Sequence, residues 1–258
     1  MGRAAPGGDR AASRPRCDAR NPVDGEITAT GAGALGKATG VEVTADSLFQ
    51  IGSITKVWTA TLVMQLADDR LLRLDAPVAE QLPGFAVADP EVTRSVTPRH
   101  LLTHTSGIDG DVFNDTGRGD DCLERYVAEL SSVEQIHPLG ATWSYCNSGF
   151  GVLGRLVEHL TGTTWDRALR DRLIEPLGLT HTVTLPEEVL LHRVAVGHVG
   201  DPDEDPCRRR PGASRARPGR QGSSARLSRT CSRSCASTSR AASPRTARVS
   251  FPRRASRR

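Results

Sequence analysis

Two short constellations in this 258-residue chain hold side chains suited to covalent chemistry. The first is Ser53-Ile54-Thr55-Lys56, opening an apolar stretch with helical spacing that runs through Val57-Trp58 to Leu74. Residues three apart share one face of a helix, so this spacing predicts the hydroxyl and the amine side by side. Ser53 would lie at the helix N-terminus, where free N–H groups and the positive dipole end favour developing negative charge. Lys56, set in an apolar wall, would give up its proton more readily than a solvated lysine. Together they describe an activated serine nucleophile. The second constellation is Tyr145-Cys146-Asn147.

Composition decides whether these pairs are chance. With two lysines and twenty serines in the chain, Ser-x-x-Lys arises by accident roughly once in six such chains. With two tyrosines and three asparagines, Tyr-x-Asn is about a one-in-forty event, and both together occur roughly once in 300. Chance is therefore the poorer account. The bland alternative makes Ser53 an N-cap, Lys56 a solvated helix residue and Tyr145 a core aromatic.

The text Leu48-Phe49-Gln50-Ile51-Gly52-Ser53-Ile54-Thr55-Lys56, Leu101-Leu102-Thr103-His104-Thr105-Ser106-Gly107 and Tyr145-Cys146-Asn147-Ser148-Gly149 resembles the serine β-lactamase and penicillin-binding-protein superfamily. Tyr-x-Asn in place of Ser-Asp-Asn is similar to its class C β-lactamase, D-alanyl-D-alanine carboxypeptidase and esterase branch. The resemblance covers residues 25 to 205 and lacks the last of the family's three motifs. It implies an α+β, β-lactamase/transpeptidase-like fold with the helical subdomain largely present and the antiparallel sheet incomplete, because the C-terminal strands are missing.

In catalytic terms the resemblance implies that Ser53 forms an acyl-enzyme on an amide or ester: a β-lactam, a D-Ala-D-Ala peptide or a small ester. Lys56 and Tyr145 would share removal and return of its proton. A phenol with a pKa of about 10 is a poor base at neutral pH unless a nearby ammonium stabilises its phenolate, which ties the two motifs together. Asn147 would orient substrate or Lys56, and neither metal nor cofactor is implied. His104 reads as a structural helix-ending residue before Gly107 rather than a catalyst. His198-Val199-Gly200 spells a His-x-Gly like the third motif of the esterases but follows Tyr145 too soon, so it is taken as a decoy. The missing strand would supply the second oxyanion donor, and loss of one such donor costs on the order of 10²- to 10³-fold. This copy is therefore expected to be impaired, with apolar surface left exposed and a marginal fold.

The net charge of +4 hides two compositions. Residues 207–258 hold sixteen arginines and eleven serines without a lysine or an acid, which makes them +16 and leaves residues 1–206 at −12 (18 basic, 30 acidic). Three regions follow: a disordered 1–24, a partial serine hydrolase domain over 25–206, and a disordered Arg/Ser-rich 207–258. Arg, Ser, Ala, Pro and Gly are what GC-rich codons yield out of frame, so a frameshift or truncation before the third motif is the expectation for the last region. The rival is an arginine-rich arm that attracts nucleic acid non-specifically. A third possibility is an inactive homologue that binds peptide or glycan.

The six cysteines form no usable pattern, and Cys231 and Cys235 have no Cys/His pair to complete a zinc site. No apolar run approaches about 18 residues, so no membrane span is expected. The first twenty residues lack an apolar core of a secretory signal, which reads as cytoplasmic, although members of the resembled family are often exported. The elements expected are a weak edge strand within 25–34, a buried helix from Ser53, a helix capped by Thr97 and Pro98 running through His104, and helices over 123–130, 147–160 and 165–174.

Overall fold

The computed structural model describes residues 29–197, together with the backbone of two short strands at Arg16–Ala19 and Ala236–Ser237. Strand β1 (Arg16–Ala19) pairs antiparallel with β2 (Ala29–Ala32), Arg16 opposite Ala32 and Ala19 opposite Ala29. The expected edge strand is thus four residues long, and its partner lies in the stretch expected to be without structure. Helices follow: α1 (Thr55–Asp68), α2 (Val78–Gln81), α3 (Pro90–Ser95), α4 (Pro98–Leu102), α5 (Cys122–Glu129), α6 (Asn147–Thr161) and α7 (Trp165–Leu169). Strand β3 (Thr182–Val183) then pairs antiparallel with β4 (Ala236–Ser237). Helices dominate and the sheet is reduced to these two pairs among the described residues, in keeping with an α+β fold whose sheet is incomplete.

Local chemistry sets most boundaries. Thr97 caps α4 by accepting from the His100 N–H while the His100 ring accepts from the Thr97 N–H, with Pro98 at the first helical position. That helix stops at Leu102, two residues before His104. Asp89 accepts from the Glu91 and Val92 N–H groups and starts α3, an Asp-Pro signal the sequence reading passed over. Pro77 separates α1 from α2 and stands as the N-cap of α2, because Pro is compatible with a helix start that follows it. Gly162, at φ 67°, ends α6, and α7 widens into a π-turn over Arg170–Ile174, so 165–174 is one helical segment of two pitches.

Helix α6 is the centre of the core, touching α1, α4, α5 and α7. Its Val152, Leu153, Leu156 and Val157 are fully buried among Leu62, Val63 and Leu66 of α1, Leu101 of α4, Tyr126 of α5 and Leu169 of α7. Removing any one of these leucines to alanine would cost about 2–5 kcal/mol. A small second cluster gathers Leu48 and Val183 with Val189 and Val194. The expectation that α1 is a buried helix needs correction. The face carrying Leu62, Val63 and Leu66 is sealed, while Val57 (64%) and Met64 (44%), and Ile54 (61%) just before the helix, remain exposed. Hydrophobicity around a helix makes burial favourable, but only elements packed on both sides deliver it, and α6 and α7 cover one side.

Candidate active site

Ser53 sits in a single 3₁₀ turn, Gly52–Ile54, that runs straight into α1 at Thr55. Its side chain is exposed, and the turn keeps it one residue-triplet before Lys56, as the spacing required. The Lys56 ammonium lies 3.5 Å from Ser53 Oγ and donates a 2.7 Å hydrogen bond to Asn147 Oδ1. Asn147 is the first residue of α6, placed there by the Cys146 thiol, which caps the helix by accepting from the Gly149 N–H. The Ser148 hydroxyl donates to the Asp109 carbonyl and the Asn147 N–H to the Gly110 carbonyl, so the start of α6 is tied to the 104–110 loop.

Tyr145 completes the cluster in a way its spacing did not foretell. Lys56 Nζ stands over its ring, 4.7 Å from the centroid, and 5.6 Å from that of Phe150. An ammonium over an aromatic face is held by the ring quadrupole, worth about 0.5–2 kcal/mol depending on solvation. All four residues singled out in the sequence, Ser53, Lys56, Tyr145 and Asn147, are therefore brought to one place. Lys56 is the hub: it reaches the other three. Burial raises the Cys146 thiol above its usual range, so the cysteine between Tyr145 and Asn147 stays a neutral thiol in its capping role.

Sequence reasoning did not find the aromatic surround. His104 stacks on Tyr145 at 4.6 Å and on Phe150 at 5.2 Å, and meets Trp143 edge-on at 6.0 Å. The signals were present: Trp143 and Tyr145 are two apart in the loop that leads into α6, and Asn147 and Phe150 three apart on that helix. The expectation that His104 ends a helix agrees with its left-handed backbone, φ 57°, just past α4. His198-Val199-Gly200 lies outside the described residues, as does the arginine-rich stretch apart from the β4 backbone.

With the site in place, comparison with known proteins is decisive. The β-lactamase family matches residues 19–246. The chain belongs to that family. The matched range exceeds the residues 25–205 that carry the motif resemblance, and it takes in part of the arginine-rich stretch. Penicillin-binding protein 4 of Amycolatopsis lactamdurans is 58% identical over 184 residues, covering 71% of this chain and 48% of that protein. The class C β-lactamase structure from Rhodobacter sphaeroides superposes with a TM-score of 0.60 at 26% identity, over 84% of this chain and 55% of that one. The octameric penicillin-binding protein homologue from Pyrococcus abyssi gives 0.60 at 28% identity, over 69% and 42%. The chain spans less than half the length of the curated relatives it matches.

As a β-lactamase-family chain it is penicillin-binding-protein-like. Among the described residues no helix is long and apolar enough to cross a membrane, and no group of three or more His, Cys, Asp or Glu side chains could hold a metal ion.

Proposed function

We propose that this chain forms a covalent acyl-enzyme through Ser53 on an amide or ester substrate, of the β-lactam, D-Ala-D-Ala peptide or small-ester kind. The observation that carries the reading is the position of Lys56, 3.5 Å from Ser53 Oγ, 2.7 Å from Asn147 Oδ1 and over the Tyr145 ring. Ser53 Oγ attacks the carbonyl carbon, and its proton passes to the Lys56 amine or the Tyr145 phenolate. The new C–O bond forms, the bond to the leaving group breaks, and that group leaves with the proton. Water then cleaves the acyl ester and restores the hydroxyl. Asn147 acts by holding Lys56 Nζ toward the serine. The β-lactam substrate is drawn from the relatives' names, a penicillin-binding protein and a class C β-lactamase, while the peptide and ester substrates are those the family resemblance implies.

Labelling with a fluorophosphonate or a fluorescent penicillin tests this. The expected result is one adduct, on the Ser53 peptide, that disappears in Ser53→Ala. Lys56→Arg should be as damaging as Lys56→Ala, because arginine keeps its proton at all accessible pH values. An adduct surviving Ser53→Ala, or a Lys56→Arg variant that keeps most of its labelling rate, would overturn the assignment.

A further inference from the structure

The loop carrying Tyr145 is gripped from both sides by one residue. The Ser144 N–H donates to the His104 carbonyl at 2.9 Å, and the Cys146 N–H donates to His104 Nδ1 at 3.1 Å. Between those two bonds the imidazole lies against the Tyr145 ring. Three contacts from a single residue thus fix the backbone on both flanks of Tyr145 and the plane of its side chain.

The backbone at His104 makes this possible at a local cost. Thr103 ends α4, and His104 follows with φ 57°, a region costing a non-glycine residue about 1–2 kcal/mol. The Thr105 N–H donates to the His100 carbonyl and the His104 N–H to the Leu101 carbonyl, the pair of bonds that closes a helix through a left-handed residue. Glycine is the residue that such a cap favours. A purely local role would be served at least as well by glycine, so the imidazole must be accounted for by what it touches.

The geometry points to His104 as a positioning residue that holds Tyr145 under the Lys56 ammonium. It touches neither Ser53 nor Lys56 by hydrogen bond; it acts through Tyr145. Nδ1 accepts from an N–H, so the ring is neutral with its proton on Nε2. Burial, and then the charge of Lys56, depress its affinity for a second proton, which keeps Nδ1 free to accept. This inference rests on the reading of Ser53 as the nucleophile, but its first readout does not.

The test uses the full chain in four forms: unchanged, His104→Gly, His104→Asn and His104→Ala. Glycine keeps the left-handed cap and removes the clamp. Asparagine tolerates the left-handed region and offers a side-chain oxygen where Nδ1 stood. Amide hydrogen exchange at Cys146 is read beside the rate of fluorophosphonate labelling at Ser53. Expected for His104→Gly are a Cys146 amide at least tenfold less protected, a Ser144 amide that stays protected, and labelling slowed at least tenfold. His104→Asn should restore the Cys146 protection and part of the labelling rate. His104→Ala keeps a non-glycine residue at φ 57° but lacks the clamp, so it should lose Cys146 protection and labelling at least as far as His104→Gly, and native protection in it overturns the proposal. A His104→Gly variant with undiminished Cys146 protection, or with normal labelling despite lost protection, overturns the proposal. An unchanged chain that shows the Cys146 clamp yet never labels at Ser53 sinks the serine reading, and with it the claim that the clamp serves catalysis.

Discussion

The C-terminal ends of α1 and α4 carry the same backbone device in different surroundings. After α1, Arg70 takes φ 61°, its N–H bonds the Ala67 carbonyl and the Leu71 N–H bonds the Leu66 carbonyl. After α4, His104 takes φ 57° with the same two bonds, from His104 to Leu101 and from Thr105 to His100. These are the two non-glycine residues with positive φ among those described. Arg70 points its side chain into solvent, whereas His104 is wedged among Tyr145, Phe150 and Trp143. Identical local strain therefore serves chain reversal at one end and the site at the other. The difference lies in what is packed against the residue, not in the turn.

The surroundings of His104 are crowded, and the largest predicted effect comes from there. Gly107 has φ 71°, and a Cβ on it would fall 2.1 Å from the His137 carbonyl oxygen and 2.5 Å from Gln135 Nε2. That side chain cannot give way easily, because Gln135 Nε2 also donates to the Ser106 and His137 carbonyls. Gly107→Ala should lower stability in urea unfolding by about 3 kcal/mol or more. A loss under about 1 kcal/mol would mean that the 104–110 loop is pliant and that the contrast with Arg70 is overdrawn.

Next comes Gly110, whose Cβ would meet Cys146 Cα at 2.6 Å and the Tyr145 carbonyl oxygen at 2.7 Å. Gly110→Ala should cost about 2 kcal/mol and, by pushing the Tyr145 segment off Lys56, slow Ser53 labelling at least tenfold. Normal labelling in a folded variant would show that Tyr145 does not need this placement. At the other helix end the effect should reverse in sign. Arg70→Gly relieves left-handed strain in open surroundings and should stabilise by about 0.5 kcal/mol, after the entropy a glycine adds to the unfolded chain. Labelling should be unchanged, and a clear destabilisation would reveal a role for the Arg70 side chain.

The smallest effect is on pH dependence. Burial holds His104 and His100 below the usual histidine range, so the unfolded chain binds protons first as pH falls. Stability contributed by keeping them neutral is complete above about pH 6.5 and declines below it, down through their lowered folded values. The urea midpoint should therefore drop between about pH 7 and pH 5, less steeply in His104→Asn and with the native slope in Arg70→Gly. Equal slopes in all three would place the titration elsewhere.

Legibility in the sequence followed the range of the interactions. Ser53 and Lys56 are neighbours through about one turn of chain, so their juxtaposition was set by spacing alone. The Thr97-Pro98 start, the beginning of α6 at Asn147 and the helical run from Trp165 are likewise local, written in capping chemistry and periodicity. Helices α2 and α3 were missed because each is a single turn or little more, too short for a periodic pattern to show. The strand at Arg16–Ala19 was missed because pairing depends on a partner ten and more residues away.

Residue types, their spacing and the family resemblance named Ser53, Lys56, Tyr145 and Asn147, since few side chains can supply a nucleophile, a base and an orienting amide. Only the packing of α6 against α1 and α4 decided that Lys56 would reach Asn147, 91 positions along the chain, and stand over the face of Tyr145. It also decided that His104, locally just another left-handed cap, would grip the Tyr145 loop across 42 residues. The same packing leaves Ile54 and Val57 in solvent despite their hydrophobicity. Periodicity states which faces prefer burial, but contacts between distant segments depend on how whole helices seat against one another, and no local pattern encodes that.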